Sequence, residues 1–314
     1  MRVVIVGLGI QGQKRLAIAG NDVVATVDPL HEKAQFNRIE DVPLDSYDAA
    51  LLCIPDEPKI AIIKYLLSNQ KHLLVEKPLF SANAADLADV KKLAEENKTV
   101  CYTAYNHRFE PHFVKMREVI SSGRLGRIYS IRMFYGNGTA RLVRDSAWRD
   151  QGAGVLPDLG SHLLDTVLFW LNKPAKGFRI HSANCFENQA FDHVTFGNEA
   201  KGVEPLVQLE VSLLSWRNHF YAEVFAENGS AHINSLCKWG PSTFSLRDRK
   251  LPSGKPDEES ITLVQSDPTW SIEYEHFIQI CNTRLSNIEN DIWINTTLQG
   301  LANQLKKSLG TNRC

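Results

Sequence analysis

No apolar run in this 314-residue sequence approaches the roughly 18 residues needed to cross a bilayer; the longest, such as Val3–Val6 and 167–171, span a few positions. A transmembrane helix is therefore not expected. Charge of one sign is missing too: 35 Lys and Arg stand against 36 Asp and Glu, so no general basic field exists to hold nucleic acid or an anionic membrane. Cysteine is sparse, with Cys53, Cys101, Cys185, Cys237, Cys281 and Cys314 scattered and no CxxC pair. That argues against a disulfide framework or a structural zinc site and for reduced, mostly buried thiols. A basic leader followed by an apolar stretch and a small-residue cleavage site is also lacking, so a secretory signal is not expected and the cytoplasm is the default compartment. Repeats and low-complexity tracts are absent.

What is present is a balance of 43% hydrophobic and 23% charged residues, that of a soluble globular protein. The length suggests two domains of about 150 residues each. In 1–104, β-rich apolar runs at 3–6, 23–27, 49–54, 72–75 and 99–102 alternate with amphipathic helical patterns at 11–19, 59–69 and 84–97. This predicts the α/β class, with a doubly wound parallel sheet. Pro58 and Ser81 read as starts of the second and third helices. From 105 to 314 the texture changes to helical segments at 111–122 and 161–171 and alternating segments at 128–135, 178–185, 206–214, 220–226 and 230–233. These predict a second, α+β domain built on a largely antiparallel open sheet, covered on one face and able to bury a partner subunit on the other. The polar stretch 248–260 reads as a surface loop. Segments 273–284 and 291–309 read as closing helices, so that about 271–312 can pack back on the first domain.

Gly7, Gly9 and Gly12 form GxGxxG (GLGIQG, with Ile10 and Gln11 inside it) between an apolar strand and a helical run. The first glycine makes the tight turn, the second admits a pyrophosphate to the backbone, and the third allows close helix packing. The helix N-terminus then faces the phosphates. The next strand ends at Asp28, where a carboxylate can accept hydrogen bonds from the adenosine ribose diol and repel a 2′-phosphate. NAD is thereby favoured over NADP, although His31, Lys33 and Arg38 keep NADP open. Ile54 and Pro55, after Cys53, end the next core strand at the carboxyl edge, where the backbone can border a cofactor.

The strand 72–75 runs into Glu76-Lys77-Pro78 at the same edge. Lys77 can exchange a proton with a substrate if desolvation or a neighbouring cation destabilises its ammonium; the other reading is a surface ion pair before the next helix. A second cluster lies in GAGVLPDLGSHLLD, where helical spacing stacks Asp158, His162 and Asp165 on one face. A carboxylate bonded to the imidazole fixes its tautomer and frees the other nitrogen for proton transfer; the alternative is a capping Asp and a satisfied core histidine. Nothing in the pattern requires a metal.

These residues together resemble the Gfo/Idh/MocA oxidoreductases, which include glucose-fructose oxidoreductase and inositol dehydrogenase. The likeness is carried by GLGIQG, by Glu76-Lys77-Pro78, by Tyr105-Asn106-His107-Arg108-Phe109, and by Gly152-Ala153-Gly154 leading to Asp158, Gly160, His162 and Asp165. The resemblance implies a Rossmann domain, a C-terminal open sheet that commonly mediates homodimers or homotetramers, and redox chemistry at a secondary hydroxyl of a sugar, polyol or nucleotide sugar. It implies that Lys77 and His162 transfer protons, that Asp158 orients them, and that Glu76 and Asn106 border the nicotinamide end. An NAD-dependent redox glycosidase and a non-catalytic dinucleotide-binding regulator are the alternatives. The sequence departs from the family in the short interval from Asp28 to Tyr47, which trims the expected adenine pocket, and at Lys59, where many relatives carry histidine.

Substrate size is addressed by 136–148, GNGTARLVRDSAW, and the following Arg149. Arg141, Arg144 and Arg149 can clamp phosphate or carboxylate oxygens, with Trp148 stacking on a sugar or base. The competing reading pairs the arginines with Asp145 and Asp150 on a solvated loop.

Overall fold

The computed structural model describes residues 1–146, 149–284 and 286–309. In chain order the elements are β1 (Val3–Val6), α1 (Ile10–Ala19), β2 (Val23–Val27), β3 (Ala49–Leu52), α2 (Asp56–Ser68), β4 (His72–Glu76), α3 (Ala84–Glu96) and β5 (Cys101–Ala104). There follow α4 (Pro111–Ser121), β6 (Ile128–Gly136), α5 (Ala140–Arg144), α6 (Ser161–Leu171), β7 (Phe178–Asn184), β8 (His193–Asn198) and β9 (Leu206–Ser212). The chain closes with β10 (His219–Ala226), β11 (Gly229–Asn234), β12 (Ser242–Lys250), β13 (Gly254–Leu263), α7 (Thr269–Thr283) and α8 (Ile288–Leu309). Two compact units result, Met1–Asn106 with Pro268–Asn295, and His107–Asp267 with the segment from Thr296.

The first unit holds a parallel sheet in the order β2-β1-β3-β4-β5. Its central strands are short Val, Ala and Leu runs buried on both faces, as parallel strands between helices must be. Alternate residues serve two cores. Val4, Val6, Ala50, Leu52, Leu73 and Val75 pack with Ile63, Leu66 and Leu67 of α2 and Leu87 and Val90 of α3. Val3, Ile5, Ala49, Leu51 and Leu74 pack with Tyr274, Phe277 and Ile280 of α7. Between β2 and β3 there are only turns at Ile39–Asp41 and Leu44–Ser46 and an isolated parallel bridge from Val27 to Phe36. The α2 helix begins at Asp56 rather than Pro58, and α3 at Ala84 rather than Ser81, because Asn83 is the residue whose side chain accepts from the Ala85 N–H.

The second unit carries an eight-stranded sheet, β13-β12-β11-β10-β6-β9-β8-β7, antiparallel except for the β6–β9 pair. Burial alternates along its strands: Phe220, Ala222 and Val224 are buried in β10, while Phe225 is exposed. The reading of 248–260 as a surface loop is corrected. It belongs to the β12–β13 hairpin, whose outer strand is exposed along nearly its whole length. Cross-strand pairs Arg247–Glu258 and Lys250–Asp257 and the hydroxyl contact Ser245–Ser260 hold it, so polar composition here marks an edge strand. Among the described residues no helix is long and apolar enough to cross a membrane. Of the cysteines, Cys53, Cys101, Cys185, Cys237 and Cys281 are free, three of them buried; Cys314 lies outside the described residues.

Candidate active site

In the first unit, the Gly7-to-Gly12 turn is shaped by contacts only glycine permits. Gly7 has φ +91°, and a Cβ there would lie 2.4 Å from the Cys53 carbonyl oxygen; a Cβ on Gly12 would lie 1.9 Å from the carbonyl oxygen of Gly7. The loop is thus wedged against the end of β3, whose Cys53-Ile54-Pro55 segment leads into α2. Gly9 differs, because a Cβ built on it meets no atom within 4 Å. It is the N-cap of α1, which has no side-chain cap and no acidic residue in its first turn, and both Ile10 and Gln11 are exposed. An open glycine face at an uncapped helix N-terminus fits a pyrophosphate.

Asp28 follows directly on β2. Its Oδ2 accepts the Leu8 N–H from the glycine turn at 2.7 Å, and its Oδ1 accepts the N–H groups of Leu30 and His31 at 2.9 and 3.1 Å. Burial raises the Asp28 pKa, but these N–H groups and nearby His31 outweigh it and bring it below the ordinary value. Three of about four lone-pair sites are engaged, leaving a charged acceptor for one hydroxyl donor.

At the exit of β4, Glu76 and Lys77 diverge. Glu76 Oε1 accepts from Arg15 Nε at 2.7 Å, and Arg15 Nη2 donates to Glu273 Oε2 at 2.6 Å, with both Arg15 and Glu273 buried. Trp270 covers the guanidinium, its ring centroid 4.3 Å from Arg15 Cζ. Burial works against the Arg15 charge, yet Glu273 and Glu76 together hold its pKa above the ordinary value. Lys77 is half-buried and its bond to Pro78 is cis. Lys59 is buried, and its Nζ donates to Asp56 Oδ1 at 2.5 Å and to the carbonyl oxygens of Glu76 and Pro78 at 3.2 and 3.0 Å. Asn106 is buried, its amide nitrogen donating to Thr269 Oγ1 at 2.8 Å.

In the second unit, His162 lies on the first turn of α6 and is buried. Its ring stacks on His107, with centroids 4.1 Å apart, and Tyr135 meets its edge at 5.7 Å. Lys238 Nζ lies 3.3 Å from His107 Nε2. A π-helical turn, Leu156–Gly160, precedes α6 and carries Asp158, which is 41% exposed and pairs with Arg149 at 3.8 Å. Asp165, in contrast, is buried and meets Arg108 through contacts of 2.6, 2.8 and 3.0 Å. Such a bidentate pair fixes the orientation of both side chains. Burial pushes the Asp165 pKa up and Arg108 pulls it back. Arg141 pairs with Glu187 at 3.7 Å, and Asp150 accepts the backbone N–H groups of Gln189 and Ala190 at 3.2 and 2.8 Å. Trp148, read as a stacking residue, lies outside the described residues.

The sequence reading missed Arg15, Glu273, Trp270 and Thr269. For Arg15 a signal exists: it shares the buried face of α1 with Gly12 and Ala19, where an unpaired cation would be costly.

The fold and the glycine turn define a dinucleotide-binding Rossmann unit joined in one chain to an open-sheet α+β unit. Residues 1–105 match the family model described as "Oxidoreductase family, NAD-binding Rossmann fold", and residues 113–232 match the "GFO/IDH/MocA C-terminal domain". The chain belongs to the Gfo/Idh/MocA family. It is 30% identical to myo-inositol 2-dehydrogenase of Thermotoga maritima over 105 residues, 32% of this chain and 30% of that one. An uncharacterized oxidoreductase of Schizosaccharomyces pombe, C26H5.09c, is 27% identical over 143 residues, 44% of this chain; the match spans 38% of that relative's length. Among solved structures, UDP-N-acetylglucosamine 3-dehydrogenase GnnA of Acidithiobacillus ferrooxidans superposes with a TM-score of 0.80 at 16% identity, covering 97% of each chain. At that identity the likeness is one of fold.

Proposed function

We propose that this protein is an NAD-dependent oxidoreductase moving a hydride to or from the secondary alcohol or ketone carbon of a sugar, polyol or nucleotide sugar. The observation that carries the reading is the open face of Gly9 at the uncapped N-terminus of α1, tied through Leu8 to a charged Asp28. The charge on Asp28 supports NAD over NADP, since a 2′-phosphate within about 4 Å would cost on the order of 4 kcal/mol at an effective dielectric near 20. The relatives named above carry dehydrogenase names for a cyclitol and a sugar nucleotide, which supports a ring hydroxyl as the reacting group.

Nicotinamide, when bound, supplies the hydride chemistry. The chain's own task is the hydroxyl proton. Lys77 and His162 hold or accept the proton of the reacting oxygen, Asp158 orients His162, and Arg149, paired with Asp158, is set to bind substrate oxygens. Arg15 keeps the Glu76 carboxylate fixed beside Lys77. His107, stacked on His162, limits the plane in which that ring can turn.

The test is to purify the protein gently, denature it, and identify the released small molecules by mass spectrometry. NAD or NADH is expected, and a sugar-derived companion would select the first substrates for assay. NADP would overturn the reading of Asp28, and a protein that binds neither dinucleotide on addition would overturn the whole.

A further inference from the structure

Both backbone carbonyls that flank Lys77 point at one side chain. Lys59 lies in the first turn of α2, is 2% exposed, and spends its three N–H groups on Asp56 Oδ1, the Glu76 carbonyl and the Pro78 carbonyl. Helix stability does not explain this placement: a cation in the first turn opposes the helix dipole, and burying it costs more again. Asp56, half-exposed in the same turn, offsets only part of that. What the arrangement does achieve is a closed turn. With an apolar residue at 59, two carbonyls would lose their donor and turn toward water, carrying Lys77 with them. Glu76 is then gripped twice, its carboxylate by Arg15 and its carbonyl by Lys59.

We propose that Lys59 is the positioning residue of Lys77, fixing the β4 exit so that the Lys77 side chain is presented to the bound dinucleotide. The inference rests on the reading of Lys77 as a group beside the nicotinamide.

The experiment is competitive acetylation of the full-length protein with acetic anhydride, quantified at Lys77 by mass spectrometry with and without NAD, in the native chain and in Lys59→Gln. With NAD at ten times its Kd, a Lys77 covered by the dinucleotide is expected to react about tenfold more slowly. In Lys59→Gln that protection is expected to fall below about twofold at matched saturation, NAD affinity staying within about threefold by calorimetry. Lys59→His is expected to restore part of the protection. Full protection in Lys59→Gln overturns the role of Lys59 and leaves that of Lys77 intact. A lost NAD affinity overturns it also, because Lys59 would then serve the cofactor site directly. Absence of NAD protection in the native chain overturns the reading of Lys77 itself. Should Lys59→Gln not fold, Asp56→Asn loosens the same Nζ and is read in the same way: reduced protection supports the proposal, and native protection overturns it.

Discussion

The imidazoles of His107 and His162 lie face to face, their planes inclined by only 20°. Tyr135 packs against both rings, at 5.3 Å from His107 and 5.7 Å from His162. A ring held so firmly suits proton transfer along one direction. His162→Gln is expected to lower kcat by about 10²- to 10⁴-fold, the usual contribution of a positioned acid or base. His107→Leu, which removes the stack and keeps the bulk, is expected to lower it by a smaller factor. Steady-state kinetics on the two variants, with calorimetric NAD binding unchanged in both, checks the assignment.

Gly9 and Gly12 separate binding from folding. Gly9→Val adds side-chain atoms to space that no protein atom occupies, so the melting temperature is expected to stay close to that of the native chain. The same atoms stand where a pyrophosphate would lie, and the NAD Kd is expected to rise by at least about tenfold, a loss of about 1.4 kcal/mol. Gly12→Ala, whose Cβ would meet the Gly7 carbonyl oxygen at 1.9 Å, is expected to fail in both respects. Thermal unfolding and calorimetry on the pair distinguish the two cases.

Arg15→Met leaves two carboxylates, one of them fully buried, without their shared cation. Removing one partner from a buried ionic cluster typically costs about 3–5 kcal/mol. Denaturant unfolding is expected to show a loss of that size, and the triple change Arg15→Met, Glu76→Gln, Glu273→Gln is expected to recover part of it.

Asp28 sets an acid limit. Its pKa in the folded protein is below the ordinary value of 3.8, so its contribution to stability is fully present above that value and is lost as pH falls through the lower, folded-state pKa. The difference in stability between the native chain and Asp28→Asn is thus expected to be constant from neutrality down to the ordinary carboxylate range and to shrink in stronger acid. The same variant is expected to narrow the preference for NAD over NADP, as dinucleotide titration at neutral pH would show.

The parallel sheet and the glycine turn are legible in the sequence because both depend on short-range pattern: apolar runs separated by 3.6-periodic segments, and glycines where backbones touch. The β12–β13 hairpin escaped because its outer strand buries almost nothing, and its partners Arg247–Glu258 and Lys250–Asp257 are recognisable only once the strands are aligned. The Arg15–Glu273 contact joins residues 258 positions apart, and no local periodicity reports such a pair. Lys59 stood out only as a departure from histidine, its three acceptors being brought to it by the β4 exit. Asp165 looked like a third member of the His162 cluster from spacing alone, and it is the position of Arg108 that commits it to an ion pair.

The first unit is discontinuous in sequence, and this bears on how the protein is made. Arg15 emerges from the ribosome early, but Glu273 follows only after the whole of the intervening second sheet. At about 5–20 residues per second the interval is on the order of 10–50 s. During that time the nascent Rossmann sheet carries a guanidinium facing one carboxylate instead of two and an apolar face still waiting for Tyr274 and Phe277. The glycine turn is synthesised before the second sheet, yet the layer that packs beneath it is completed only after that sheet has been made.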